Sequence, residues 1–216
     1  MQKFQRLWGL PVYKTSIDSN SYDKQKLVET IENNYSKQAV RQNWSKSYFR
    51  SDIHHSVMDE NNPKFKKPDY SSVEKAYQAP ITEFIQNLNI KNPANVKHQV
   101  VNYTAAKHAS LLEPHIHTEC EFSLVHYVKF DKTENSPTIL MNPYAFQDYW
   151  ERKSKLMEIV HPENVENSWL FDEWAFSTDE DDILIFPAIM KHYVKNDESR
   201  NLRITLSANI NVNKGV

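Results

Sequence analysis

From Leu202 to Val212 the chain alternates without a break. Leu202, Ile204, Leu206, Ala208, Ile210 and Val212 take every second place, with Arg203, Thr205, Ser207, Asn209 and Asn211 between them. A period of two belongs to a β-strand, whose successive side chains point to opposite faces. One face of this strand needs apolar cover. The other is polar and carries an arginine, which suits the lining of a barrel better than a surface salt bridge.

Four further segments in this half share the strand signature, residues 96–104, 122–130, 137–141 and 183–186, and residues 7–17 predict an opening strand with Pro11 near an edge. Two helices are predicted before residue 96. Residues 22–37 place Leu27, Val28, Ile31 and Tyr35 on one face. Ser71-Ser72-Val73-Glu74 is a capping-box signature, and Ala76, Tyr77, Ile81, Phe84, Ile85 and Leu88 follow on one face, with a kink expected at Pro80. Residues 41–70 are polar, aromatic and rich in turn formers, a predicted loop. The expected fold is mainly β with flanking helices, a β-sandwich or jelly roll with its N-terminal helices packed outside. The chain of 216 residues is expected to form a single domain. Residues 1–95 would support a barrel core spanning 96–216.

Residues 142–178 interrupt the strands with eight aromatics, among them Tyr144, Trp150, Trp169 and Trp174. A helix is predicted over 146–159. Such an insertion serves as a lid or substrate wall, or it covers one end of the barrel.

Only two glycines are present, so tight turns must rely on Asn, Asp and Pro, and glycine-rich phosphate loops are excluded. The formal net charge of -2 gives no bulk attraction to anionic membranes and disfavours duplex nucleic acid as a partner. No apolar run approaches membrane-spanning length, and residues 1–8 lack the apolar stretch of a signal peptide. The single cysteine, Cys120, excludes an internal disulfide framework and fits a reducing cytoplasm, the expected location.

The chemistry lies in three histidines. His115 and His117 are two residues apart, a spacing that puts both imidazoles on one face of a strand. His192 follows Phe186-Pro187 at a distance and adds a third nitrogen, completing a facial ligand set with open positions for substrates. Arg203, eleven residues after His192, is placed to hold the far carboxylate of a small acid bound to that metal. An isolated His-x-His is a weak signal; the additional His192 ahead of a polar-faced strand is what gives it weight. Cys120 is a soft ligand or a buried small residue. Tyr103 and Tyr127 line a cofactor pocket or belong to the core. His98, His108, His126 and His161 have no such context, and His54-His55 is a pair whose side chains point opposite ways on an extended segment.

The chain resembles the Fe(II)/2-oxoglutarate-dependent oxygenases, and among them the small ones common in phages and bacteria. Leu7-Trp8-Gly9-Leu10-Pro11-Val12-Tyr13 resembles their N-terminal strand. His115-Ile116-His117 followed by Ser123-Leu124-Val125-His126-Tyr127-Val128 resembles their first ligand segment. Asp182-Ile183-Leu184-Ile185-Phe186-Pro187, His192 and Arg203-Ile204-Thr205-Leu206-Ser207 resemble the closing one. The resemblance implies a double-stranded β-helix holding Fe(II), with 2-oxoglutarate and O2 as cosubstrates. Arg203 would pair with the 5-carboxylate, and Thr205 or a tyrosine would add a hydrogen bond. The activity implied is hydroxylation of a C–H bond in a small molecule, an amino acid or a protein side chain, with release of succinate and CO2. Most of the superfamily carries Asp or Glu where His117 stands, so this site would be more positive by one charge.

A cupin-like barrel is the alternative, a metal-binding or non-catalytic protein on the same architecture. His115-x-His117 with Glu121 matches much of the first cupin motif and nominates Glu121 as an additional ligand. The cupin pattern gives no reason for Arg203-x-Thr205.

Overall fold

The computed structural model describes residues 3–37, 53–56, 62–90, 95–107, 112–144, 158–159, 161, 163–195 and 199–213. Strands β1 (Phe4–Leu7) and β2 (Leu10–Ser16) lead to helix α1 (Lys24–Lys37), β3 (Ile53–His55) and helix α2 (Ser71–Asn87). Then come β4 (Asn95–Ala106), β5 (Leu112–His115), β6 (Phe122–Lys129), β7 (Thr138–Met141), β8 (Glu173–Ala175), β9 (Asp182–Pro187), β10 (His192–Val194) and β11 (Arg203–Asn213).

The strands form a seven-stranded sheet in the order β1-β2-β9-β6-β11-β4-β3 and a four-stranded sheet in the order β5-β10-β7-β8. Among the described residues every pairing is antiparallel. From β4 onward the chain crosses back and forth between the sheets, which is the jelly-roll pattern.

The two faces of the large sheet bury different things. Tyr103, Leu124, Ile185, Ile204, Leu206 and Ile210 point to the outer face, where Leu27 and Ile31 of α1 and Val73, Tyr77, Ile81 and Phe84 of α2 cover them. Val12, Val125, Tyr127, Leu184 and Phe186 point inward and meet Leu140, Phe176 and Met190 from the small-sheet side. Each such apolar side chain contributes roughly 1.5–3 kcal/mol on burial. The alternation of residues 202–212 is thus divided between the two faces of the sheet.

Several details depart from the sequence expectation. The opening segment is a hairpin, not one strand. Trp8 (φ 52) and Gly9 (φ 80) make its turn, and two positive φ values in a two-residue loop suit the twist of the flanking strands. The indole N–H of Trp8 donates to the carbonyls of Ser168 (2.6 Å) and Phe171 (3.2 Å), tying the hairpin to the 3-10 helix Val165–Leu170. That helix and β8 belong to the aromatic insertion. Phe176 and Leu170 are buried, so this part of the insertion is packed structure; the predicted helix over 146–159 falls almost entirely outside the described residues. The segment expected to be loop contains β3. Glu74 does not cap its helix, because its carboxylate accepts the Val100 N–H at 2.8 Å; Asp69 instead accepts the Ser71 N–H at 3.0 Å. Helix α2 runs through Pro80. Among the described residues no helix is long and apolar enough to cross a membrane.

Candidate metal centre

β5 is the edge strand of the small sheet, a place where Pro114 and its missing N–H are tolerated. It ends on His115. His192 opens β10 and stands directly opposite His115 in the ladder. His117 lies past the end of β5, and its amide donates to the Ala188 carbonyl at 2.9 Å. The Ala188 amide in turn donates to Glu121 O at 3.0 Å, so one buried residue pins both ends of the 117–121 connection. Met190 N–H donates to Pro187 O at 2.9 Å and closes the turn that delivers His192. Of the His-x-His pair only His115 therefore rides a strand; His117 is placed by backbone bonds to the turn between β9 and β10.

The three rings converge. Their centroids are 4.3 Å (His115 and His192), 5.3 Å (His115 and His117) and 5.2 Å (His117 and His192) apart. One ring nitrogen from each lies within 4.8 Å of the others. Nδ1 of His115 meets Glu113 O at 2.7 Å and Nδ1 of His192 meets Met190 O at 2.9 Å. A carbonyl can only accept, so Nδ1 carries the proton in both rings and Nε2 keeps its lone pair. Burial, the main cause, and the neighbouring His115 push His192 down to about 3. Burial also lowers His115 and His117. The three imidazoles are neutral at neutral pH, the state that ligates a metal. A trio of neutral nitrogens, two of them with their second nitrogen bonded to the backbone, fits a divalent transition ion.

The opposite wall is the inner face of the large sheet. Arg203 and Thr205 are both 5% exposed. Arg203 lies with its guanidinium carbon 5.8 Å from the Tyr127 ring centroid. The Tyr127 hydroxyl accepts the Thr138 N–H at 3.0 Å, which fixes the ring beneath the guanidinium. Thr205 pairs with Tyr127 on one side and Thr104 on the other. Arg203 pairs with Ala106, and Ala106 packs with Ile53 and Leu112, three residues before His115. This apolar contact joins the β3 edge of the large sheet to the β5 edge of the small one, and Arg203 sits on the same inner side as the histidines.

Two nominated residues stand elsewhere. Tyr103 lies on the helix side, because the alternation of β4 turns it away from Thr104. Its hydroxyl bonds the Asn34 amide at 2.9 Å and His54 Nε2 at 3.0 Å. Glu121 is exposed, and its carboxylate accepts the Val212 N–H at 2.8 Å. It is absent from the ligand cluster, which leaves the cupin pattern without its fourth ligand among the described residues. Cys120 also stands outside the cluster, with Sγ 4.0 Å from Ser123 Oγ. His126 is enclosed on the helix side, with Nδ1 at 3.0 Å from the Tyr77 hydroxyl and Nε2 at 3.5 Å from Asp181. His98 binds Glu74 O, His161 is exposed, and His108 lies outside the described residues. A cleft along α1, lined in part by Tyr22, Lys24, Val128, Lys129 and Glu180, holds none of the nominated residues.

Sequence reasoning missed His55. It is 8% exposed and pairs with Thr104, in the row that continues to Thr205. His54 points to the helix side, against Tyr103 and Phe65. The opposed directions that argued against the pair as a joint site also require one of the two to face inward.

The chain matches a family model described as "Putative 2OG-Fe(II) oxygenase" over residues 101–209, half of its length. No curated protein sequence matches it. Solved structures of similar fold include a prolyl-4-hydroxylase from Pseudomonas putida, 8% identical over 93% of this chain and 91% of that one, with a TM-score of 0.51. Another is a prolyl hydroxylase from Trichoplax adhaerens in complex with a hypoxia-inducible-factor peptide, 10% identical over 92% and 82%, TM-score 0.52. A third is a non-haem α-ketoglutarate-dependent carbocyclase from nogalamycin biosynthesis, 8% identical over 94% and 79%, TM-score 0.55. At these identities the likeness is one of fold: a mainly β double-stranded β-helix with two helices on one face.

Proposed function

Since the chain belongs to the 2OG-Fe(II) oxygenase family, whose members use Fe(II), 2-oxoglutarate and O2, we propose that it hydroxylates a C–H bond of a small molecule, an amino acid or a protein side chain. One observation carries the reading. Three converging neutral imidazoles face the same interior as a buried guanidinium held over Tyr127.

When bound, Fe(II) with 2-oxoglutarate and O2 supplies the oxidation: one oxygen atom passes to the substrate C–H bond and the other to succinate, with loss of CO2. The chain's own residues hold and shield. His115, His117 and His192 would take the metal through neutral nitrogens and so leave its full charge of two in place. A dianionic cosubstrate would balance two of the three positive charges that the ion and Arg203 bring. Arg203 would take the 5-carboxylate in a bidentate pair, which a planar guanidinium matches in geometry. Thr205, two residues along the same strand face, would add a hydroxyl donor. Tyr127 positions Arg203 and is itself fixed by Thr138. Burial strengthens the ionic pair by lowering the local dielectric.

The test is turnover of the cosubstrate alone. Protein loaded with Fe(II) and given 2-oxoglutarate labelled at C1 should release labelled CO2 slowly in air. His192→Ala and Arg203→Ala should both fall to background. Equal release from all three proteins would contradict the proposal.

A further inference from the structure

His55 faces the interior that the proposed function uses, yet that function gives it no part. Its strand β3 is the last of the large sheet, next to the β5 edge that ends on His115. The backbone register sets His55, Thr104, Thr205 and Tyr127 in one cross-strand row. All four are buried, and residues in one row of a sheet share a face. Arg203 lies in the next row on that face, with Ala106 and Ile53. Ile53, two residues before His55, packs with Leu112, three residues before His115. The short strand that carries His55 thus borders the strand that delivers the first histidine of the cluster.

Electrostatics agree with that placement. Burial, the main cause, and the neighbouring His54, His115 and His117 together lower His55 to about 4. This agrees with the β3 edge lying against the β5 edge through Ile53, Ala106 and Leu112. It is not one of the residues whose nitrogens lie within 4.8 Å of one another. It stands outside the ligand set.

Building on the oxygenase reading, we infer that His55 is a cosubstrate-binding residue that donates a hydrogen bond to the chelating 1-carboxylate end of 2-oxoglutarate, with Thr104 beside it. A diacid held by Arg203 at one end must present its oxo-acid end to the histidines. On the large-sheet wall the inward polar side chains on the β3 side, nearest the β5 edge, are His55 and Thr104, whereas Thr205 stands beside Arg203 on β11. An imidazole that stays neutral there offers one N–H donor to a carboxylate oxygen without adding charge to a site that already carries the ion and Arg203.

The experiment uses the full chain loaded with Ni(II), which binds without turnover, and calorimetric titration with 2-oxoglutarate and separately with succinate. Succinate offers a carboxylate to Arg203 but lacks the 2-oxo acid group. His55→Ala should weaken 2-oxoglutarate about tenfold and leave succinate and Ni(II) affinity within twofold of wild type. His55→Gln, which keeps a donor, should recover most of the loss. Arg203→Ala should weaken both acids. Unchanged 2-oxoglutarate affinity in His55→Ala overturns the inference. A parallel loss of Ni(II) affinity also overturns it, in favour of a fourth metal ligand, and equal loss of both acids overturns it in favour of a packing role. If wild type itself binds no 2-oxoglutarate, the oxygenase reading fails first and takes this inference with it.

Discussion

His115 and His192 face each other across the β5–β10 ladder, with ring centroids 4.3 Å apart and each Nδ1 turned to the carbonyl two residues before it. The backbone thus sets the tautomer of both rings before any metal arrives. On the proposed reading these rings serve ligation more than packing, so removing one should cost the metal and spare the fold. His192→Ala and His115→Ala should each fall from about one tightly bound Ni(II) or Fe(II) per chain to almost none. Their urea midpoints without metal should stay close to wild type. Metal analysis of dialysed protein reads the first, and denaturation followed by circular dichroism the second. Loss of folding in both variants would support a structural role instead.

The lowered histidines fix a pH dependence. His192 is depressed to about 3 and His55 to about 4, burial being the leading cause in each. A group that is harder to protonate when folded makes acid favour the unfolded chain. Its contribution is complete above the unfolded value near 6.5 and is lost as pH falls from there toward the folded values. Metal-free protein should therefore lose on the order of a few kcal/mol between about pH 6.5 and 4, since each tenfold loss of proton affinity is worth about 1.4 kcal/mol. His192→Gln should flatten part of that slope. Metal affinity of the folded protein should fall less steeply with acid than that of three free imidazoles, because burial lowers all three rings. A proton competing near 6.5 would show the rings to be ordinary exposed histidines.

Gly9 should matter for its backbone alone. Its φ of +80 is unfavourable for L side chains, yet a Cβ built there meets nothing within 4 Å. Gly9→Ala should cost about 1–2 kcal/mol from conformation without a clash, and Gly9→Asn less, because Asn tolerates such angles. Urea denaturation should show the shift in midpoint with an unchanged slope. A cost of several kcal/mol for Gly9→Ala would mean that the hairpin turn is packed against something.

Much of the fold is legible in the sequence wherever a period runs long enough. Residues 202–212 announce β11, the barrel and the inward-facing Arg203 and Thr205. The helices are legible from Leu27 and Ile31 and from Tyr77 and Phe84. Short elements carry too few residues to show a period, and β3, β5, β8 and β10 are three or four residues long. The β1–β2 turn escapes notice because Trp8 occupies a position where Asn or Gly is the usual signal. Which face a residue takes also depends on register, and register is set by distant pairing. That is why spacing nominates Tyr103 and passes over its neighbour Thr104, which lies on the inner face of the sheet. Glu121 fits a spacing, but tertiary structure gives its carboxylate to Val212.

A metal and an arginine sharing one diacid are the centre of the proposed chemistry. The most direct test is an anaerobic titration of Fe(II)-loaded protein with 2-oxoglutarate, following the visible absorption of the chelate. Wild type should develop the band with saturable affinity. Arg203→Ala should need at least about thirtyfold more 2-oxoglutarate, consistent with about 2–5 kcal/mol for truncating one partner of a buried charge pair, while holding Fe(II) alone as tightly as before. Equal affinity in both proteins, or no band in either, would contradict it.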